Sequence, residues 1–196
     1  MPFSSQVLKK LEEVTEMGLE IDMIGPSHGV IWRKDPGKII SSYVSWAKQE
    51  AKKKAVIVYD TMWDSTGKMA HAILDGLVEK GTEVKLYKIS DSDRNDVISD
   101  LMDANMVLVG SPTINREFLP SLSAFLDDMM GLKPRQKLAA FFGSSGWSGG
   151  AVKGMRERME KAGFELIEEN MEAKWVPTED EIEKCRDFGR TLADKI

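Results

Sequence analysis

The sequence has a single cysteine, Cys185, and only two histidines, His28 and His71, among its 196 residues. One cysteine excludes an internal disulfide and any thiolate-ligated iron–sulfur cluster built by this chain alone. The sequence also lacks a charged-then-apolar leader, and no apolar run approaches the roughly 18 residues that cross a bilayer. We therefore expect a soluble, cytoplasmic protein in which Cys185 serves helix packing.

The charged residues form no basic patch of the kind that binds nucleic acid or anionic lipid. The chain has 27 basic and 32 acidic residues, a formal net charge of −5, and both signs are spread along it. The basic run 52–54 is interpreted as the solvated end of a helix. No Gly-x-x-x-x-Gly-Lys-Ser/Thr motif occurs, and no Gly-x-Gly-x-x-Gly follows the first predicted strand. Nucleic-acid, membrane, nucleoside-triphosphate and dinucleotide binding therefore all lose their main support.

From Ala55 onward, short apolar runs that favour β-strands alternate with amphipathic stretches. The stretches carry apolar residues at helical spacing, as at Met69, Ile73 and Leu77. Strands that alternate with helices imply a parallel sheet, and right-handed crossovers place helices on both of its faces. The predicted fold class is therefore α/β, a doubly wound three-layer sandwich. The predicted strands are 55–59, 84–89, 106–110, 138–142 and one within 164–176, and the predicted helices are 68–80, 93–103, 118–130, 150–162 and 179–193.

The residues before Ala55 follow a different pattern. Residues 4–18 are predicted as a helix, 21–24 as a strand and 35–54 as a second, longer helix. A lone helix-strand-helix cannot bury its own apolar faces, so these faces need a surface on another domain or another chain. The apolar residues concerned are Val7, Leu8, Leu11, Val14, Ile21 and Ile24.

Three loops, 61–66, 111–115 and 143–150, each directly follow a predicted strand. Because the carboxyl ends of parallel strands meet at one edge of a sheet, we expect these loops to converge on one crevice. Polar and glycine-rich loops at such an edge predict a site for a small molecule.

The first loop opens a helix, where backbone N–H groups and the helix dipole favour a phosphate. Hydroxyl groups of Thr61, Ser65 and Thr66 add hydrogen-bond donors. An equally good interpretation of this loop alone is that the three hydroxyls cap the helix.

The other two loops suit a planar ligand. Pro112 and Asn115 stiffen turns and present backbone groups edge-on to a ring. Trp147 stands among glycines, which allow a ligand to approach the backbone, and its ring offers a face for stacking. Each loop taken alone is explained as well by an ordinary turn. Three such loops at strand ends together favour a flavin, with its phosphate in the first loop.

Three motifs resemble loops of flavodoxin and, more closely, of the flavodiiron proteins, also called A-type flavoproteins: Tyr59-Asp-Thr-Met-Trp-Asp-Ser-Thr66, Gly110-Ser-Pro-Thr-Ile-Asn115 and Gly143-Ser-Ser-Gly-Trp-Ser-Gly-Gly150. The resemblance covers essentially the whole chain. It implies FMN as cofactor and a flavodoxin-like fold with five parallel strands in the order 2-1-3-4-5. It also divides the chain into residues 1–54, the end of a metallo-β-lactamase-like domain with a linking helix, and 55–196, the FMN-binding domain. The cofactor-binding residues that it implies are Thr61, Met62, Trp63, Asp64, Ser65, Thr66, Ser111, Pro112, Thr113, Ile114, Asn115, Ser144, Ser145, Gly146, Trp147, Ser148 and Gly149.

One position departs from the phosphate loop of flavodoxin, which usually has glycine where Asp64 stands. A carboxylate would repel a phosphate dianion, so we expect Asp64 to contribute its backbone and to face solvent. Trp63 would then cover the flavin.

The segment Ile24-Gly-Pro-Ser-His-Gly-Val-Ile-Trp-Arg33 resembles the end of the family's metallo-β-lactamase-like domain, where the histidine is a ligand of a non-haem di-iron centre. The resemblance makes His28 a metal ligand only if a partner completes the site, because the family's His-x-Glu-x-Asp-His motif is absent. The alternative is a loop histidine without a metal. Family activity, reduction of oxygen to water or of nitric oxide to nitrous oxide, is therefore not expected from this chain alone.

Three functions are compatible with these features. The first is an FMN electron-transfer module that works with a metal-bearing lactamase-like partner or as a homo-oligomer. Its electron donor would be one such as rubredoxin or reduced deazaflavin. The second is an autonomous FMN-dependent NAD(P)H reductase, and the third is a non-redox interaction module. We predict the first, because no feature demands a dinucleotide groove, and we assign no catalytic side chain because the flavin does the redox chemistry.

Overall fold

A computed structural model describes residues 3–196, which divide into two compact units, one ending at Glu50 and one spanning Ala51–Ile196. In this part of the chain every helix is too short or too polar to span a lipid bilayer. The helices are α1 (Ser4–Glu16), α2 (Pro36–Lys48), α3 (Ser65–Glu79), α4 (Arg94–Met102), α5 (Ser123–Leu132), α6 (Ala151–Ala162) and α7 (Glu179–Ala193). The strands are β1 (Lys52–Tyr59), β2 (Glu83–Lys88), β3 (Ala104–Ile114), β4 (Glu117–Phe118), β5 (Leu138–Ser145) and β6 (Glu165–Lys174).

The second unit contains a parallel sheet in the order β2-β1-β3-β5-β6. Apart from the short strand β4, this is the order 2-1-3-4-5 with helices on both sides, so the predicted fold class is confirmed. Strand β4 pairs antiparallel with the end of β3, with Thr113 opposite Phe118 and Ile114 opposite Glu117. It was not predicted because two residues are too few to show a strand period.

The central strands bury side chains on both faces of the sheet. Along β1, Val56 and Val58 belong to one core cluster, whereas Ala55 and Ile57 belong to the other. Helices α4, α5 and α6 cover the first cluster, and α3 and α7 cover the second. Because both faces are covered, these strands are continuous apolar runs, which the sequence displays clearly. Cys185 lies buried on α7 in the second cluster, and burial raises the pKa of its thiol to about 12.

The amino-terminal ends of the strands hold an ion-pair cluster around a buried lysine, Lys54. The Lys54 ammonium lies 2.7 Å from Asp100 Oδ1 and 2.8 Å from Asp103 Oδ1. Burial alone would lower the pKa of Lys54, but the hydrogen bonds that its ammonium donates to both carboxylates raise it. The prediction of a second helix over residues 35–54 is wrong at its C-terminal end. Helix α2 ends at Lys48, Gln49 adopts a left-handed conformation, and the lysines at 52–54 belong to β1. The carboxylates that bury Lys54 lie 46 and 49 residues away, so the lysine run alone resembles a solvated helix end.

A second buried lysine at these strand ends predicts a stability that rises with pH. The Lys137 ammonium donates to the carbonyl oxygens of Met102 and Ala104, and burial lowers its pKa from 10.5 to about 8. Between these two pH values the unfolded chain binds more protons than the folded chain, so raising the pH raises the free energy of unfolding. Urea denaturation of the wild type and of Lys137→Met across this pH interval checks the prediction. The stability of the wild type relative to the variant should increase with pH, and a constant or falling difference would contradict the assignment.

The N-terminal unit consists of α1 packed against α2, with one antiparallel bridge between Ile24 and Trp32. The strand predicted for 21–24 is reduced to this bridge, because the described residues of the unit provide no strand for it to join. Among those residues only Ala47 is buried. The helices and the bridge enclose a largely apolar groove of about 710 Å³, with Val7 and Leu11 in its lining. This unit therefore leaves much of its apolar surface uncovered.

Candidate functional site

A cleft of about 610 Å³ lies at the carboxyl ends of the strands, within the size range of sites for small molecules. The three predicted loops meet there, as expected for an open parallel sheet. All predicted cofactor-binding residues line this cleft except Asp64, Thr66, Ser111 and Gly149. The lining residues are Thr61, Met62, Trp63, Ser65, Pro112, Thr113, Ile114, Asn115, Arg116, Ser144, Ser145, Gly146, Trp147, Ser148, Trp175 and Val176.

Arg116, Trp175 and Val176 line the cleft but were not predicted. Arg116 completes the turn that follows the second loop, and the other two residues directly follow β6. The segment after the last strand is also expected at this crevice, because it follows the carboxyl end of a parallel strand. That end could not be located in the sequence, because the last strand was assigned only to somewhere within 164–176.

The first loop holds a hydroxyl group without a partner. Thr61 Oγ1 is buried and has no hydrogen-bond partner in the described structure, whereas the Thr61 N–H donates to Asp60 Oδ1 at 2.9 Å. A buried hydroxyl without a partner costs free energy, and such groups commonly mark a missing ligand or water. Thr61 therefore fits a ligand that offers an acceptor, such as a phosphate oxygen.

Helix α3 begins directly after this loop without a side-chain cap. Its N-cap residue is Asp64, whose carboxylate makes no capping hydrogen bond, and Thr66 Oγ1 pairs with Ser144 Oγ at 2.9 Å instead. The interpretation of the loop hydroxyls as helix caps is therefore not supported. An uncapped N-terminus leaves first-turn N–H groups and the positive end of the helix dipole for an anion. Asp64 is exposed and left-handed, with φ of 64°, a conformation that glycine adopts most easily.

Two predicted ligand residues hold the loops together in the interior. The hydrogen bond between Thr66 and Ser144 links the first loop to the third across 78 residues of sequence. Ser111 Oγ donates to the Pro112 carbonyl at 2.8 Å and accepts from the Leu119 N–H at 2.9 Å. Since these hydroxyls are already used within the protein, we expect them to position the loops rather than to contact a ligand.

Tryptophan rings border the cleft. Trp147 and Trp175 pack edge to face, with ring centroids 4.8 Å apart, and they are 92% and 54% exposed. Trp63 is 87% exposed. Gly146 leaves room for this pair, because a Cβ there would lie 2.8 Å from the Trp175 ring. Exposed aromatic surface beside a cleft is typical of a binding site and suits a planar ligand.

The prediction of residues 111–115 as a loop is wrong for 111–114, which are the end of strand β3 and reach well past the end of β1. Tyr59, the last residue of β1, pairs with Gly110, and β3 continues to Ile114. The two residues between β3 and β4, Asn115 and Arg116, both have positive φ, 51° and 64°, as a type I′ hairpin turn requires. This turn packs against the third loop, since a Cβ on Gly150 would lie 2.1 Å from the Arg116 carbonyl oxygen.

Asp60 was not predicted, although it positions Thr61. This buried carboxylate accepts hydrogen bonds from the Thr61 N–H, from Ser90 Oγ at 3.1 Å and from Ser121 Oγ. Ser90 follows β2 and Ser121 precedes α5, so one side chain ties the end of β1 to two other segments. An aspartate after a strand gives no sequence signal for partners this distant.

The structure gives no metal cluster within residues 3–196: no three His, Cys, Asp or Glu side chains are placed to hold a metal ion. His28 is exposed and lines the groove of the N-terminal unit, and His71 is exposed on α3. These residues do not fit a di-iron centre by themselves. The role of His28 as a ligand stays a prediction that depends on a partner.

Comparisons with known proteins agree with this geometry. The flavodoxin family profile matches residues 57–189. The chain is 54% identical over 197 residues to a nitric oxide reductase of Moorella thermoacetica, across 100% of this chain and 49% of that protein. Rubredoxin oxygen:oxidoreductase from Desulfovibrio gigas superposes with a TM-score of 0.91 at 35% identity, over 99% of this chain and 49% of that one. A flavodoxin from the domain Archaea gives a TM-score of 0.66 at 29% identity, over 72% of this chain and 97% of its own. The chain thus spans about half the length, or less, of the curated relatives it matches.

Proposed function

The chain belongs to the flavodoxin family, as the flavodoxin-like FMN module of flavodiiron proteins, and from this premise we propose that it carries electrons on FMN. The observation that carries the proposal is the buried, unpartnered hydroxyl of Thr61 beside the uncapped start of α3. That arrangement suits the terminal phosphate of FMN. Bound FMN supplies the electron-transfer chemistry, and the protein supplies binding, orientation and electrostatics.

The chain's own residues divide this work between the two ends of the cleft. The Thr61 hydroxyl and the first-turn N–H groups of α3 would hold the phosphate through charge-assisted hydrogen bonds. Backbone groups of the second loop, from Pro112 to Ile114, would be available to the ring. Trp147 and Trp175 would shield ring surface from water. No acid–base pair is needed, since the redox chemistry belongs to the flavin.

The N-terminal unit is proposed to complete a metallo-β-lactamase-like domain, formed by further polypeptide, by a partner chain or by a second copy. Support comes from the apolar groove of about 710 Å³ and from the single buried residue, Ala47, among those described in this unit. The di-iron chemistry, reduction of oxygen or nitric oxide, would belong to that assembly, with His28 as this chain's contribution. The electron donor is proposed to be a carrier such as rubredoxin or a reduced deazaflavin.

The chain reconstituted with flavin is expected to retain about one equivalent of FMN and to bind riboflavin far more weakly. Riboflavin lacks the phosphate that Thr61 and the start of α3 would bind. Acid release, chromatography of the released flavin and fluorescence titration with FMN, FAD and riboflavin measure both quantities.

Preference for FAD, or no flavin after reconstitution, would overturn the proposed function. Iron analysis of the same sample should give substoichiometric metal without the partner, and two tightly bound irons would refute the proposed division of labour. NADPH oxidation that depends on the bound FMN would instead favour an autonomous reductase.

A further inference from the structure

We propose that Arg116 raises the reduction potential of the bound flavin by attracting the negative charge of its reduced form. The inference rests on the proposed function, because it requires FMN in the cleft. Arg116 lies outside the three flavin-loop motifs, and none of the predicted roles covers it.

Among the described residues that line the cleft, Arg116 is the one with a charged side chain. Every other lining residue described in the structure is apolar or carries a neutral polar side chain. Arg116 itself is exposed, and the ion pairs found within residues 3–196 do not include it. A guanidinium that forms no ion pair with the described residues is available to act on a ligand in the same cleft.

The position of Arg116 assigns it to the ring end of the cleft rather than to the phosphate end. The phosphate loop starts where β1 ends, level with Gly110 of β3. Residues 111–114 then carry the hairpin roughly 13 Å further, at about 3.3 Å per strand residue. The hairpin meets the third loop at Gly150, close in sequence to Trp147. A cation at the first loop would serve the phosphate, whereas this one lies with the groups proposed to border the ring.

The backbone conformation of Arg116 gives independent support. A type I′ turn strongly favours glycine at its second central position, because both central residues must have positive φ. Arg116 holds that position with φ of 64°, where a side chain is unfavourable. A non-glycine residue in this conformation costs backbone free energy, so an arginine held there beside the cleft is compatible with a function for its side chain.

Arg116 would act on the negative charge that the flavin ring gains when it is reduced. At neutral pH, oxidised FMN takes up two electrons and one proton, so the reduced ring carries one more negative charge than the oxidised ring. Dithionite is a suitable electron source for the titration and is itself oxidised to sulfite. A nearby positive charge stabilises the more negative partner of the couple, which raises the reduction potential.

The test is a dithionite potentiometric titration of the FMN-loaded chain, followed by absorbance at low and high ionic strength. In Arg116→Gln, reduced FMN should bind about three- to tenfold more weakly relative to oxidised FMN, as expected for an exposed charge pair. At about 30 mV per tenfold for two electrons, the potential falls by about 15–30 mV. Arg116→Lys keeps the positive charge, so its potential should lie close to that of the wild type. High salt should reduce the difference in potential between the wild type and Arg116→Gln.

Two further variants separate charge from structure. Arg116→Gly relieves the positive-φ conformation, so it should be at least as stable as the wild type and still lower the potential. Lys161→Gln removes the same charge from the last turn of α6, about 15 Å along that helix from its start, and should leave the potential unchanged.

Bound FMN with the same potential in Arg116→Gln as in the wild type would overturn this inference alone. An equal shift in Lys161→Gln would also overturn it, by assigning the effect to net charge. Failure of the wild type to bind FMN would overturn the proposed function itself and this inference with it.

Discussion

Replacing Thr61 with valine is expected to weaken FMN binding by about ten- to a hundredfold while it stabilises the flavin-free protein. The Thr61 hydroxyl is buried without a partner, so the flavin-free protein bears its desolvation cost. Valine has nearly the same shape and removes that cost. A phosphate oxygen would lose a charge-assisted hydrogen bond that contributes about 1.5–3 kcal/mol. Flavin-fluorescence titration and urea denaturation of the flavin-free protein measure the two opposite effects.

Thr82 offers a matched control for this prediction. Its hydroxyl is also buried without a partner, but it lies immediately before β2, at the opposite edge of the sheet from the cleft. Thr82→Val should stabilise the flavin-free protein in the same direction and leave FMN affinity unchanged. If Thr61→Val bound FMN as tightly as the wild type, the hydroxyl would have no part in phosphate binding.

Alanine at Gly76 or Gly189 is expected to destabilise the protein by about 1–3 kcal/mol, because helices α3 and α7 touch backbone to backbone there. A Cβ on Gly76 would lie 2.0 Å from the Arg186 carbonyl oxygen, and one on Gly189 would lie 2.2 Å from the Ile73 carbonyl oxygen. Neither obstacle is the flexible end of a side chain, so the helices must move apart. That movement also disturbs the ion pair between Arg190 Nε and Glu79, now 2.7 Å.

Gly131 in α5 is the matched control, because it is also a helical glycine and, apart from its chain neighbours and its own helix backbone, no atom lies within 4 Å of the position its Cβ would take. Gly131→Ala should stabilise the protein through helix propensity, by less than the roughly 0.5–1 kcal/mol of a helix interior because Gly131 lies in the last turn of α5. Thermal and urea denaturation of the three alanine variants test the contrast in sign. A common stabilisation of all three would show that α3 and α7 can separate without cost.

The sequence predicted the fold well because the relevant signals are local. Strands covered on both faces are continuous apolar runs, and amphipathic helices between them repeat with their own period. The start of strand β1 was the exception. Lys54 belongs to a strand because carboxylates from α4 and the turn after it surround its ammonium, and a pattern confined to neighbouring residues does not reveal them.

The candidate site divides in the same way. Its general place follows from strand order, which is why the three loops could be selected from the sequence. The role of individual residues within a loop depends on distant partners, as two threonines five positions apart demonstrate. Among the described residues the Thr61 hydroxyl has no hydrogen-bond partner, whereas the Thr66 hydroxyl is hydrogen-bonded to Ser144. Nothing in the residue type distinguishes them, and contact with FMN stays a prediction for every residue of the set.

The hydrogen bond between Thr66 and Ser144 has a consequence for binding kinetics. It joins the first loop to the third loop inside the folded protein, before any ligand arrives. Because the two loops are already joined, flavin binding does not include the entropy cost of ordering them, and association needs little rearrangement. Differences in affinity among variants of this cleft should then arise mainly from the rate at which the flavin leaves.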